Sequence, residues 1–333
     1  MSLAGARSGG LTPAENSSRG APGAFVVVDW GTSSFRGWLM SADGETLAES
    51  RGGEGMLHCT GGGAGAGFAP VLRDHLARLG APEGVPVLIC GMAGARQGWA
   101  EAPYLKTPTR LDALHEGAIR IDAPGDIRIL PGIAQARPER PDVMRGEETQ
   151  LLGVTEPDFT GLVCIPGTHS KWVRIEAGCI VEFSTYMTGE LYSVIAQHSI
   201  LAHALETAGN GTSPLAADSQ PFREGLSMAL AEPAALTASL FRLRAAQLLG
   251  FEQRADGAAR LSGLLIGTEL ADALHRHGPL RSMRLIGAGA LGRLYEAALA
   301  GQGLEVTTVD AEQAARLGLA KAAISLWGAK VTI

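Results

Sequence analysis

Two stretches of this chain repeat one order: an apolar run, a short turn containing Gly-Thr, a returning run, a second glycine turn and a third run. The first starts FVVVDWGTSSFRGWLM at residue 25, with Asp29 near the end of its β-branched run. Gly31, Thr32, Ser33 and Ser34 follow, then the turn Ala42-Asp43-Gly44 and a strand from Glu45. The second, LVCIPGTHSKWVRIEAGCIVEF over 162–183, has Gly167, Thr168, His169 and Ser170 at its turn and Glu176-Ala177-Gly178 at the next. β-Branched runs bounded by glycine turns predict strands, and two similar β-β-β units predict two similar domains.

The turns suit phosphate. Glycine lets backbone N–H groups come close to an anion, and hydroxyls add donors. An acid at the strand end suits a hydrated Mg²⁺. Taken alone, the same letters also fit a plain β-hairpin. The rival phosphate loop is excluded, because the chain has no Gly-Lys dipeptide and therefore no GxxxxGK[ST].

Length and composition fit two cores of ordinary size, with 333 residues of which 46% are hydrophobic. A net charge of −6 leaves no basic stripe, so nucleic acid is not an expected partner. No apolar run is long enough for a membrane span. Cys59, Cys90, Cys164 and Cys179 form no CxxC pair and read as free thiols of a cytoplasmic protein. Residues 1–23, rich in Gly, Ser, Ala, Pro and Arg, are expected to form a disordered leader and lack the apolar core of a signal peptide.

Three further clusters carry chemistry. An apolar strand over 85–90 runs into GMAGARQGW, where Arg96, Gln97 and Trp99 offer charge, amide and a flat face for a polar, sugar-like substrate; a surface loop is the alternative. A helix is predicted to start near Glu147, directly after Arg145 and Gly146, and its acids suit the N-terminal turn. Glu190, just after the second unit, is a weaker site candidate. LIGAGALG over 285–292, with Asp310 closing the next run, matches a dinucleotide fingerprint locally. Only about twenty residues follow Asp310, too few for the rest of a nicotinamide domain. Helical spacing marks 233–249, 261–275, 293–299 and 311–327, the last crossing back towards the first domain.

Facing glycine hairpins from two such units resemble the arrangement shared by actin, hexokinase and the sugar kinases. The order Gly146-Glu147-Glu148-Thr149, then Pro166-Gly167-Thr168, is similar to that of FGGY-type sugar kinases, with Glu where those have the Asp base. The strings VDWGTSSFRGW, CGMAGARQGWAEAPYL, DVMRGEETQLLG, PGTHSKW, MTGELY with QHSIL, and LIGAGALG, in register from about 24 to 328, resemble the 2-dehydro-3-deoxygalactonokinase family.

That resemblance implies an α/β fold of two similar actin/hexokinase-like (ribonuclease H-like) domains, over 24–157 and 158–333, with mixed sheets flanked by helices and a cleft between them. It implies ATP-dependent phosphorylation of the 6-hydroxyl of 2-dehydro-3-deoxy-D-galactonate, with Mg²⁺. Asp29 would hold the metal through water, and Gly31–Ser34 and Gly167–Ser170 would hold the phosphates. Arg36 or Lys171 would offset charge, and Gly287, Ala288 and Gly289 would receive adenosine. Glu147 would be the base, with Glu148 the alternative. Arg96 is favoured over Arg145 as the carboxylate anchor. Oligomeric state stays open, a homodimer included. Two other classes stay open as well: an actin-like ATPase without kinase activity, and a nicotinamide oxidoreductase built on 287–292 and Asp310.

Overall fold

β-Branched and aromatic residues concentrate where the strands form. In the computed structural model, which describes residues 23–62, 67–205, 217–278 and 280–328, the first unit opens with β1 (Phe25–Trp30), β2 (Phe35–Met40) and β3 (Thr46–Gly52). Then come α1 (Met56–Thr60), α2 (Phe68–Arg78), β4 (Val87–Gly91), β5 (Tyr104–Lys106), β6 (Thr109–Arg110), β7 (Ile119–Arg120), β8 (Ile127–Ile129), β9 (Gly132–Gln135), β10 (Asp142–Met144) and α3 (Glu147–Val154). The second unit holds β11 (Gly161–Ile165), β12 (Ser170–Glu176), β13 (Cys179–Tyr186), α4 (Thr188–His198), α5 (Gln220–Ala231), α6 (Leu236–Leu248) and α7 (Arg254–His277). It ends with β14 (Ser282–Gly287), α8 (Gly289–Ala300), β15 (Glu305–Asp310) and α9 (Ala311–Trp327). The expected leader lies outside the described residues except for Gly23.

The repeat read from the turns is a repeat of topology. One sheet runs β3-β2-β1-β4-β8 with β7 added at the edge, and the other runs β13-β12-β11-β14-β15 with β6 added beside β13. In both, the first three strands form an antiparallel meander and the next two join in parallel. The edge strand β6 comes from the first half of the chain, so the second sheet is completed by a segment from before its own start. A small third sheet, β10-β9-β5, leads into α3.

Period-two alternation puts the central strands between two cores. Val26, Val28 and Trp30 of β1 face a core with α2, while Phe25 and Val27 join a second core. Leu162 and Cys164 of β11 face α5, α7 and α8, while Val163 and Ile165 join that same second core. It is filled by α3 and α9, which pack between the two sheets. No helix among the described residues is long and apolar enough to cross a membrane.

Candidate active site

Both phosphate-type turns are four-residue loops, 31–34 between β1 and β2 and 166–169 between β11 and β12. Each is braced from behind. The Met56 and Leu57 N–H groups at the start of α1 donate to the Gly31 and Thr32 carbonyls, each at 3.0 Å. At the second turn the Glu190 N–H donates to the Thr168 carbonyl at 3.0 Å, and the Glu190 carboxylate meets His169 Nε2 at 2.5 Å.

The loops face one cleft of about 320 Å³. Asp29, Gly31, Thr32, Gly91, Met92, Arg145, Gly146, Glu147 and Gln150 line it from one side, and Ile165 to His169 from the other. Gly146 supplies the turn into α3 at φ +105°, a conformation that favours glycine. It thereby aims Glu147 into the cleft.

Adjacent carboxylates meet opposite surroundings there. Glu147 accepts the Arg145 N–H at 3.0 Å and pairs with Lys171 Nζ at 3.0 Å across the cleft. Lys171 is itself buried and donates to the His169 carbonyl at 2.9 Å. Glu148 is 1% exposed and turns back onto the Gly146 N–H at 2.8 Å. Burial first, then the charge of Glu147, pushes its carboxyl up to about 8. Glu148 thus favours its protonated form at neutral pH, and Glu147 is the acid that lines the cleft and pairs with Lys171.

Burial also raises the Asp29 carboxyl; Arg36 opposes this, and the charges of Glu147 and Glu312 add to it. Among the described residues its paired cation is Arg36, 3.5 Å away, which also lies 3.9 Å from Glu312. Among the described residues no cluster of three or more His, Cys, Asp or Glu forms a metal cage. A carboxylate with hard oxygens, incompletely paired in a cleft that water can enter, fits an ion that keeps most of its waters, as Mg²⁺ does.

Arg96, Gln97 and Trp99 fall outside the cleft lining. A tight turn after β4, with the Ala95, Gly98 and Trp99 N–H groups bonded back to Met92, Ala95 and Ala93, buries the alanines and turns Arg96 and Gln97 to solvent. The Arg96 side chain is 81% exposed beside Glu101. Trp99 instead stacks on Phe68, with ring centroids 5.8 Å apart, and abuts Trp30. Arg145 lines the cleft, its guanidinium over the Tyr104 ring at 4.3 Å and Nη2 donating to the Ala102 carbonyl at 2.8 Å. Its Nε and Nη1 are buried without partners, as is Oε1 of cleft-lining Gln150, a residue that sequence reasoning missed. Ser33 is exposed, Ser34 half-buried, and Ser170 fully buried with its hydroxyl 2.9 Å from the Tyr295 hydroxyl, so Ser170 offers the cleft no side-chain donor.

The glycine fingerprint sits at the end of β14. The pairing of Cys164 with Leu285 carries Gly287 to the level of Pro166, the same sheet edge as the second hairpin, with Ala288 and Gly289 opening α8. Asp310, the acid a dinucleotide site would use on ribose, instead accepts the Glu312 and Gln313 N–H groups at 3.0 and 2.9 Å as the cap of α9.

The profile of the 2-keto-3-deoxy-galactonokinase family matches residues 29–322. A protein named probable 2-dehydro-3-deoxygalactonokinase from Rhizobium meliloti (strain 1021) is 50% identical over 92% of this chain and 98% of its own length. The 2-dehydro-3-deoxygalactonokinase of Escherichia coli (strain K12) is 34% identical over 89% of this chain and 96% of its own. A crystal structure assigned as a 2-dehydro-3-deoxygalactonokinase from Sinorhizobium meliloti superposes with a TM-score of 0.86 at 49% identity, covering 91% of this chain and 99% of that one. Component A of the (R)-2-hydroxyglutaryl-CoA dehydratase of Acidaminococcus fermentans shares the fold alone, at 15% identity and a TM-score of 0.51 over 92% of this chain and 99% of that one. With its twin sheets and paired hairpins, the fold is the two-domain actin/hexokinase-like one, and the chain belongs to the 2-keto-3-deoxy-galactonokinase family.

Proposed function

We propose that the chain transfers the γ-phosphoryl group of ATP to the 6-hydroxyl of 2-dehydro-3-deoxy-D-galactonate. The observation that carries this is the convergence of Glu147 (paired with Lys171), Asp29 and a half-satisfied Arg145 in one cleft between two matched hairpins. Phosphoryl transfer asks mainly for alignment and charge stabilisation. Backbone N–H groups of 31–34 and 166–169 receive the phosphates, and the adenosine lies along Gly287, Ala288 and Gly289. Asp29 would hold Mg²⁺, which would supply charge neutralisation at the phosphates. Glu147 accepts the proton of the substrate hydroxyl, and the ion pair with Lys171 orients its carboxylate. The lobes 24–157 and 158–333 close to keep water from competing. The four free cysteines support a reducing, cytoplasmic setting.

The sugar acid brings its own carboxylate, which arginine's planar fork matches with paired hydrogen bonds. Arg145 lines the cleft and its Nε and Nη1 have no partner among the described residues, whereas Arg96 points to solvent. The anchor is therefore Arg145. ADP release is followed with a panel of 2-keto-3-deoxy sugar acids in wild type, Arg145→Ala and Arg96→Ala. Arg145→Ala raises KM for the keto acid by about 1.5–3 kcal/mol, roughly 10- to 150-fold, with ATP KM little changed, and Arg96→Ala matches wild type. The opposite assignment of the loss would move the anchor back to Arg96; no sugar-acid-dependent ADP release would remove the kinase reading.

A further inference from the structure

Glu269 lies within α7, 3% exposed, and among the described residues forms no ion pair. Its carboxylate instead accepts three hydrogen bonds from three other elements: Trp172 Nε1 of β12 at 2.7 Å, the Tyr295 hydroxyl of α8 at 2.6 Å, and the Thr188 hydroxyl that opens α4. Because the Tyr295 proton is committed to the carboxylate, the Ser170 hydroxyl donates to Tyr295 at 2.9 Å. Burying a carboxylate without a counter-charge is expensive, and well-packed apolar residues at such a place would stabilise more. Its use is positional. One small group, two oxygens wide, fixes four elements relative to one another.

Those elements surround the second phosphate hairpin. Ser170 and Trp172 flank Lys171, and side chains alternate along a strand. Holding 170 and 172 on the Glu269 side obliges Lys171 to face the other way, where its Nζ meets Glu147 at 3.0 Å and the His169 carbonyl at 2.9 Å. Thr188 starts the helix whose next residue, Gly189, packs so closely on the hairpin that a Cβ there would lie 2.5 Å from the Gly167 carbonyl oxygen. Tyr295 belongs to the helix that begins at Gly289.

We infer that Glu269 is a positioning residue for phosphoryl transfer: through Trp172, Tyr295–Ser170 and Thr188 it sets the second hairpin and delivers Lys171 to Glu147. This rests on the kinase reading above. Glu269→Gln keeps the volume but sets an amide N–H against one of the donors, so the hairpin loses its fixed register while the sugar-acid anchor on the first lobe is untouched.

The test measures kcat and both KM values for wild type, Glu269→Gln and Tyr295→Phe, with folding followed by circular dichroism and Tm. In Glu269→Gln kcat falls roughly 10- to 100-fold, the scale of a slight misplacement remote from the chemistry, ATP KM rises and keto-acid KM stays within about twofold. Tyr295→Phe removes the bonds of that hydroxyl to Glu269 and Ser170 while leaving those from Trp172 and Thr188, and shows the same split at smaller size. A role in stability alone predicts a lower Tm with kcat per folded molecule unchanged, and wild-type kcat in a folded Glu269→Gln overturns the inference. If Glu269→Gln does not fold, Tyr295→Phe decides: the split supports the role, and wild-type kcat overturns it. An inactive wild type removes the kinase reading itself, which separates the two failures.

Discussion

At the residue scale, Glu147 and Glu148 show how one peptide unit separates two chemistries. Glu148, with its carboxyl held near 8, stays protonated in the fold at a pH where the unfolded chain has released the proton. From about pH 5 to 8 the folded state therefore binds more protons, so stability from this group falls as pH rises. Glu148→Gln lacks that penalty. Its Tm should gain on wild type steadily across this window, and a constant difference would contradict the assignment. Asp29 is raised by burial in the same sense. Asp29→Asn should therefore hold or raise Tm near neutral pH while ADP release collapses, and near-normal activity in the folded variant would remove Asp29 from metal positioning. The acids at strand ends and helix starts were legible because their positions follow from local pattern. The arginines were not, because whether Arg96 or Arg145 enters the cleft depends on how the turn after β4 folds back, which nearest-neighbour letters do not encode.

At the element scale, the crossing of α3 and α9 ties Glu147, the proposed base, to the frame. A Cβ on Gly318 would lie 1.8 Å from the Thr149 carbonyl oxygen, and one on Gly153 would lie 2.0 Å from that of Ala314, so the helices touch backbone to backbone. Lys321 of α9 then donates to the Leu152 and Gly153 carbonyls at 2.9 and 3.2 Å, closing the last turn of α3. Gly318→Val should push α3 outward, costing about 1–3 kcal/mol as overpacking does and lowering kcat because Glu147 heads the displaced helix. Chemical denaturation and ADP release check both arms; an unchanged kcat would separate the crossing from the base. The strands of both repeats and the whole of α9 were readable from apolar runs and helical spacing. Helix starts were less so. α8 begins at Gly289 rather than near 293, and α7 at Arg254 rather than 261, because glycine and polar first turns carry no apolar stripe.

At the scale of the whole molecule, the duplicated strand order explains why two short turns far apart in sequence face one cleft. Equivalent turns sit at equivalent sheet edges, and α3 and α9 between the sheets hold them opposite one another. The duplication was visible in the turns. The insertion of β6 into the second sheet was not, since a two-residue strand leaves no periodic signal. Closure of the lobes on the ternary complex predicts a smaller radius of gyration with a non-hydrolysable ATP analogue plus keto acid than with either alone, read by small-angle X-ray scattering; equal values would argue against closure. The central claim is that Glu147 accepts the proton as the phosphoryl group moves. It is tested most directly by kcat for sugar-acid-dependent ADP release in Glu147→Gln beside Glu148→Gln. The account predicts a fall of roughly 10² to 10⁴ in Glu147→Gln with ATP KM little changed, and near-wild-type turnover in Glu148→Gln. A loss confined to Glu148→Gln, with Glu147→Gln active, would contradict it.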